Sequence, residues 1–230
     1  MERIFPNKLQ KGDEIRVISP SSSLIRTGKF EDKLKAKVRL EALGFKVTFG
    51  AHLLENDILS SSSIASRVSD FHAAFKDQNV KAVLCTIGGF NSNELLPYLD
   101  WEIVRNNPKI FCGFSDISVL HHAIFSHTGL VTYYGPGYIA FLMDELQEFQ
   151  SSEWLKALST DKTYELRASD VFTSDAWYLP EKPRQLLKNE WKIYDGGQFG
   201  GKFEYTDACD RYYFSSITQR SYCFFRKCRR

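Results

Sequence analysis

Along the first 140 residues, short apolar runs alternate with longer stretches whose apolar positions recur every three or four residues. Residues 14–19, Glu-Ile-Arg-Val-Ile-Ser, follow the turn Lys11-Gly12-Asp13 and read as a short strand that empties into a hydroxyl-rich loop, Pro20-Ser21-Ser22-Ser23. Residues 29–43 place Phe30, Leu34, Val38 and Leu43 at helical spacing and stop at Gly44, after which residues 45–49 return to a strand pattern. A serine cluster at 60–63 supplies caps for a helix over 64–75. Residues 80–87 then form a nearly continuous apolar strand, the pattern of a strand buried on both faces.

Further strands are predicted at 109–112 and 130–134, each reached through a helical segment. Repeated strand–helix alternation predicts an α/β fold, with a doubly wound parallel sheet forming an N-terminal domain over residues 1–143. Residues 144–197 change texture, with Ser/Thr/Asp-rich pieces around Trp154, Trp177 and Pro180, and read as a linker and the start of a smaller C-terminal domain. Residues 198–230 form an aberrant tail with Cys209, Cys223, Cys228, nine Phe/Tyr residues and a basic end.

Composition narrows the function classes. The chain has 230 residues, 43% hydrophobic and 25% charged, enough for at least one full core. Its net charge of +2 conceals a tail with seven Lys/Arg against three Asp/Glu, so residues 1–197 carry −2 and offer no basic face for nucleic acid. No apolar run approaches the roughly 18 residues of a membrane span, and the opening Met1-Glu2-Arg3-Ile4-Phe5-Pro6 lacks a signal-peptide pattern. A cytoplasmic protein without membrane or nucleic-acid partner is expected. Five cysteines, an odd number with no C-x-x-C spacing, fit neither a zinc site nor a disulfide framework, and no metal or cofactor is expected.

In parallel sheets, ligands gather at the carboxyl ends of the strands. Two loops there carry candidate chemistry. In Gly88-Gly89-Phe90-Asn91-Ser92-Asn93, glycines let backbone N–H groups approach a ligand and asparagines can hold polar substrate atoms. The same residues also suit a plain capped turn. In Gly113-Phe114-Ser115-Asp116-Ile117-Ser118, a serine stands between strand and helix, where its hydroxyl is exposed and helix N-terminal amides can stabilise an oxyanion. This has the shape of a nucleophile elbow, although Ile117 replaces the second glycine of G-x-S-x-G, and an ordinary N-cap serine fits it too.

Residues 11–22, 67–77, 87–100 and 107–118, with Thr132-Tyr133-Tyr134-Gly135-Pro136, resemble the LD-carboxypeptidase family (serine peptidases S66) in sequence and in order. The resemblance spans roughly residues 6–197, and Asn91-Ser92-Asn93 is more similar to the microcin C immunity branch than to the murein tetrapeptide carboxypeptidases. It implies Ser115 as nucleophile, an oxyanion hole from the amides of Gly89 and Asp116, substrate binding by Gly88 and Asn91, and a small peptide or peptidyl-adenylate-like substrate. It also implies a homodimer and a base, a glutamate-oriented histidine in the C-terminal domain. Where that glutamate's apolar strand is expected, the chain reads Ser221-Tyr222-Cys223-Phe224-Phe225-Arg226.

Three readings follow. The first is a serine carboxypeptidase or amidase, inactive through loss of the triad Glu and His. The second is a peptide or peptidyl-nucleotide binding protein that does not cleave. The third is single-strand binding by the aromatic, basic tail, but a reading-frame shift near residue 197 gives the same composition and predicts a poorly packed tail. No other histidine offers a base by spacing: His121 and His122 are ordinary helix positions, His52, His72 and His127 carry no pattern, and Asp70 and His72 do not share a helix face.

Overall fold

The computed structural model describes residues 2–144, 147–161, 169, 171–172 and 187–188. The chain divides into two compact units, Met1–Thr163 and Tyr164–Arg230. The first contains five strands in parallel, β1 (Glu14–Ile18), β2 (Lys46–Phe49), β3 (Val80–Cys85), β4 (Ile110–Gly113) and β5 (Tyr133–Tyr134), in the order β2-β1-β3-β4-β5. Its helices are α1 (Phe30–Ala42), α2 (Ile64–Lys76), α3 (Trp101–Asn106), α4 (Ser118–Thr128) and α5 (Gln147–Ser159). The sequence reading of a doubly wound parallel sheet is what the unit shows. In this strand order the connections reverse direction between β1 and β3, so the loops leaving those two strands diverge and leave a crevice between them.

Alternation along the strands divides the core into two layers. Ile18, Val83, Cys85 and Phe111 face one layer, closed by Phe71 and Phe75 of α2, Val104 of α3, and Leu120 and Ile124 of α4. Phe71, Phe75 and Phe111 pack ring to ring with centroids 4.8 to 6.3 Å apart. Such pairs add about 0.5–1.5 kcal/mol each beyond the apolar area they bury. On the other face, α1 and the turn Tyr138–Leu142 lie together, with Tyr138 Oη donating to the Lys33 carbonyl at 2.8 Å.

Three differences from the sequence reading have physical causes. Helix α1 forms where its spacing predicts, but Val38 is 63% exposed, and the buried face is Lys33, Ala36 and Leu40. The Lys33 stem lies in the interior while its ammonium donates to the Thr27 carbonyl, so a polar residue holds a buried position. The predicted strand 130–134 is divided: Leu130 bridges Ile4, and only Tyr133–Tyr134 pairs with β4. Helix α5 lies in the stretch read as a linker, yet it belongs to the first unit, with Trp154 set edge-on against Phe45 and Phe141 at 6.1 and 5.3 Å.

In the second unit, β6 (Val171–Phe172) and β7 (Leu187–Lys188) pair antiparallel. The tail at 198–230, with the expectations attached to it, lies outside the described residues. Among the described residues no helix is long and apolar enough to cross a membrane, and no group of three His, Cys, Asp or Glu is placed to hold a metal ion.

Candidate active site

Four loops meet at the carboxyl edge of the sheet: those leaving β1, β3 and β4, and residues 60–63 before α2. The β4 loop carries Ser115. Strand β4 ends at Gly113, Phe114 stays extended, and Ser115 turns to φ +65°, a left-handed conformation that a β-carbon disfavours by about 1–2 kcal/mol. One step later the chain is helical through Ser115–Ile117 and α4. A serine forced into this turn points its side chain out of the strand-to-helix corner, and Ser115 is exposed. Its N–H donates to Tyr134 Oη at 3.2 Å and its carbonyl accepts from Ser118 Oγ at 2.6 Å, so both sides of the strained residue are held.

The β3 loop fits directly against it. A β-carbon on Gly88 would lie 2.8 Å from Ser115 Cβ, 3.0 Å from its Oγ and 3.2 Å from the Asp116 nitrogen. A β-carbon on Gly89 would lie 2.3 Å from Ser21 Oγ and 2.5 Å from Ser22 Oγ. Both glycines are therefore required by space, and Gly88 brings backbone to the hydroxyl of Ser115.

Asp116 ties the loops together. Its Oδ2 accepts from Ser21 Oγ at 2.6 Å and from the backbone N–H groups of Asn91 and Ser92 at 3.1 and 3.0 Å, and its carbonyl accepts from Ser92 Oγ at 2.8 Å. One carboxylate thus fixes the β1 and β3 loops relative to the residue after Ser115. Asn91 contributes its backbone to this clamp, and its side-chain oxygen accepts from Ser21 Oγ at 3.3 Å.

Arg67 performs the same task from below. It is 3% exposed, and its guanidinium donates to the carbonyls of Ser62, Asn91 and Pro20 at 3.0, 2.9 and 3.4 Å and to Glu94 Oε2 at 2.6 Å. A planar fork of donors suits four acceptors from three loops, which a lysine ammonium cannot reach together.

Four of the five histidines make contacts with groups other than Ser115. Buried His121 contacts the Gly113 carbonyl through Nε2 at 3.0 Å and Thr132 Oγ1 through Nδ1 at 2.8 Å. Its pKa falls to about 4 because burial disfavours the cation more than the Gly113 carbonyl favours it, leaving a neutral imidazole. His52 pairs with Glu55 at 2.6 Å, His72 Nε2 accepts from the Asp100 nitrogen at 2.9 Å, and His127 stacks on Trp101 at 4.5 Å.

All five residues singled out in the sequence, Gly88, Gly89, Asn91, Ser115 and Asp116, converge at this corner. Ser21, Arg67 and Tyr134 were not singled out. Ser21 stands in the hydroxyl-rich loop after β1, and that loop's position after a strand was the available signal. Arg67 looks like any helix arginine until the turns around it are known.

Residues 15–135 match the LD-carboxypeptidase N-terminal domain model, Peptidase S66. YocD of Bacillus subtilis (strain 168) is 45% identical over 190 residues, covering 83% of this chain and 58% of that protein. A crystal structure of an MccF-like protein from Bacillus anthracis str. Ames superposes with a TM-score of 0.78 at 50% identity, covering 81% of this chain and 56% of that one. The microcin C7 self-immunity protein MccF of Escherichia coli is 31% identical over 211 residues, 84% of this chain and 58% of its own. A structure of MccF in complex with aspartyl sulfamoyl adenosine has a TM-score of 0.76 at 29% identity, over 81% of this chain and 58% of that one. The chain thus spans little more than half the length of these relatives. With a family match over residues 15–135 and, along 83% of its length, a relative 45% identical, the chain belongs to the LD-carboxypeptidase family, peptidase S66.

Proposed function

We propose that this chain is the nucleophile-bearing part of a serine carboxypeptidase or amidase that acts on small peptides or peptidyl-nucleotides. The observation that carries the reading is Ser115 itself: an exposed serine at φ +65° in a strand-to-helix corner, with Gly88 packed against its hydroxyl. Strain of this kind persists where surrounding structure enforces it, and here Asp116, Tyr134 and Ser118 do so.

In the proposed reaction, Ser115 Oγ bonds to the carbonyl carbon of the scissile amide while its proton passes to a base. The carbonyl oxygen becomes an oxyanion beside the amides of Gly89 and Asp116. Collapse breaks the C–N bond, the amine leaves with the proton, and water releases the acyl group from the serine. Asn91 and the glycine loop hold the substrate backbone. A bound aminoacyl sulfamoyl nucleoside in MccF supports a peptidyl-nucleotide-like ligand for this site.

A serine hydroxyl needs an oriented base. The bonds and ring contacts of His52, His72, His121 and His127 go to Glu55, the Asp100 nitrogen, Gly113 with Thr132, and Trp101, none of them to Ser115, and slow turnover is the expectation for a serine without such a partner. Losing the base from a triad costs nearly as much as losing the whole triad, on the order of 10⁶-fold in one well-studied enzyme. Oxyanion and binding effects leave a residual acceleration of about 10³–10⁴ over water.

The test pairs two measurements on the purified chain. A fluorophosphonate should label Ser115 slowly and label nothing in Ser115→Ala. Cleavage of aspartyl sulfamoyl adenosine and of a murein tetrapeptide should stay far below the roughly 1–10³ s⁻¹ of ordinary enzymes. Labelling of a different serine would remove the nucleophile assignment, and fast turnover abolished by Ser115→Ala would show that a base is present after all.

A further inference from the structure

Phe90 stands at the tip of the glycine loop and is 87% exposed, although a phenyl ring gains nothing from water. Arg26, in the single helical turn Leu24–Thr27 of the β1 loop, places its guanidinium carbon 5.9 Å from the centroid of that ring. Its Nη1 donates to Ser22 Oγ at 3.0 Å. Ser22 is buried, its N–H donates to the Gly88 carbonyl at 3.4 Å, and its hydroxyl limits the space at Gly89. Arg26 is therefore held by a ring of the loop that touches Ser115 on one side and by a hydroxyl of the β1 loop on the other.

The charge is also available. Arg16, Arg39, Arg67 and Arg105 each meet a carboxylate, whereas no ion pair to Arg26 forms among the described residues. After the bond to Ser22, the guanidinium keeps four N–H donors in a planar fork suited to a carboxylate or a phosphate. Stacking on Phe90 fixes its orientation without neutralising it, since a ring face attracts the cation and takes up none of its hydrogen bonds.

We propose that Arg26 and Phe90 form an anion subsite at the mouth of the Ser115 site. The guanidinium takes a carboxylate or phosphate oxygen of the ligand, and the open face of Phe90 covers a planar or apolar part of the same molecule. The subsite rests on the reading of Ser115 as a peptidase nucleophile and adds to it a preference for ligands that carry a negative charge.

Calorimetry on the full 230-residue chain carrying Ser115→Ala tests it with two ligand pairs, the members of each differing by one anionic group. Aspartyl against alanyl sulfamoyl adenosine reports a carboxylate, and AMP against adenosine reports a phosphate. In at least one pair the anionic member should bind about tenfold tighter, a preference that weakens with added salt. Arg26→Gln should abolish that ratio while leaving the affinity of the member that lacks the carboxylate or phosphate, and the thermal midpoint, in place. Phe90→Ala should weaken both members several-fold. The subsite is overturned if Arg26→Gln leaves both ratios unchanged, if neither pair discriminates, or if no ligand binds. Fluorophosphonate labelling of Ser115 is independent of these ratios: retained labelling with flat ratios removes the subsite alone, and lost labelling removes the nucleophile reading.

Discussion

Gly88 and Ser115 are in contact across two loops, and a methyl group on the first would stand 2.8 Å from the β-carbon of the second. Real β-carbons do not approach this closely, so one loop must give way. Ser115 cannot yield cheaply, because its φ of +65° is already held by Tyr134 and Ser118.

Gly88→Ala should therefore displace Ser115 while leaving the fold intact. Overpacking of this kind costs about 1–3 kcal/mol. The labelling rate of Ser115 by a fluorophosphonate should fall by on the order of 10²-fold, because small misplacement of a reacting atom is amplified in rate. Crystallography of the variant would show the shift directly, and an unchanged labelling rate would mean that the contact has no bearing on the serine.

Asp116 yields a prediction of another kind, since one carboxylate oxygen accepts from Ser21, Asn91 and Ser92. Hydrogen bonds to a charged group contribute about 1.5–3 kcal/mol, and unpaired N–H groups left behind add to the loss. Asp116→Ala should destabilise by roughly 3 kcal/mol in urea titrations, and Asp116→Asn by less, because the amide keeps one acceptor oxygen. Amide hydrogen exchange should quicken first at Asn91 and Ser92. Equal stability of Asp116→Ala and the parent would show that the loops hold one another without the carboxylate.

Much of this was legible in the sequence, and the reasons differ by element. Apart from exposed Lys81 at its start, the run at Val80–Cys85 is apolar on both faces because both faces are covered, so its burial could be read from the pattern alone. The corner at Ser115 could be read because glycine, serine and a following helical pattern leave few conformations. The face of α1 could not, because Lys33 buries its stem and Val38 turns outward, and spacing cannot separate those positions. Neither could the role of Arg67. Its acceptors are three main-chain carbonyls from separate loops, and a carbonyl has no identity in the sequence.

His121 makes stability depend on pH in a defined window. Its folded pKa of about 4 lies below the ordinary 6.5, so between those values the unfolded chain binds a proton that the folded chain refuses. Stability from this residue is complete above pH 6.5 and is lost as pH falls toward 4, a loss on the order of 3 kcal/mol. His121→Gln has no such proton to take up. Urea midpoints for parent and variant should converge as pH drops from 7 to 4.5, and parallel profiles would mean that His121 titrates normally.

Arg67 provides the sharpest separation between charge and geometry. It lies almost wholly buried and donates to Ser62, Asn91, Pro20 and Glu94, so its removal leaves three loop carbonyls short of a donor. Glu94 is partly exposed and can recover water, which limits the electrostatic part of the loss. Arg67→Lys keeps the charge but reaches only one or two acceptors, whereas Arg67→Met keeps the volume and loses every donor. If geometry dominates, both variants lose about 2–4 kcal/mol and both slow Ser115 labelling, because the β1 and β3 loops that frame the serine separate. If charge dominated, Arg67→Lys would stay near the parent in urea midpoint and labelling rate. The fork of donors predicts the first result, with Arg67→Lys much closer to Arg67→Met than to the parent.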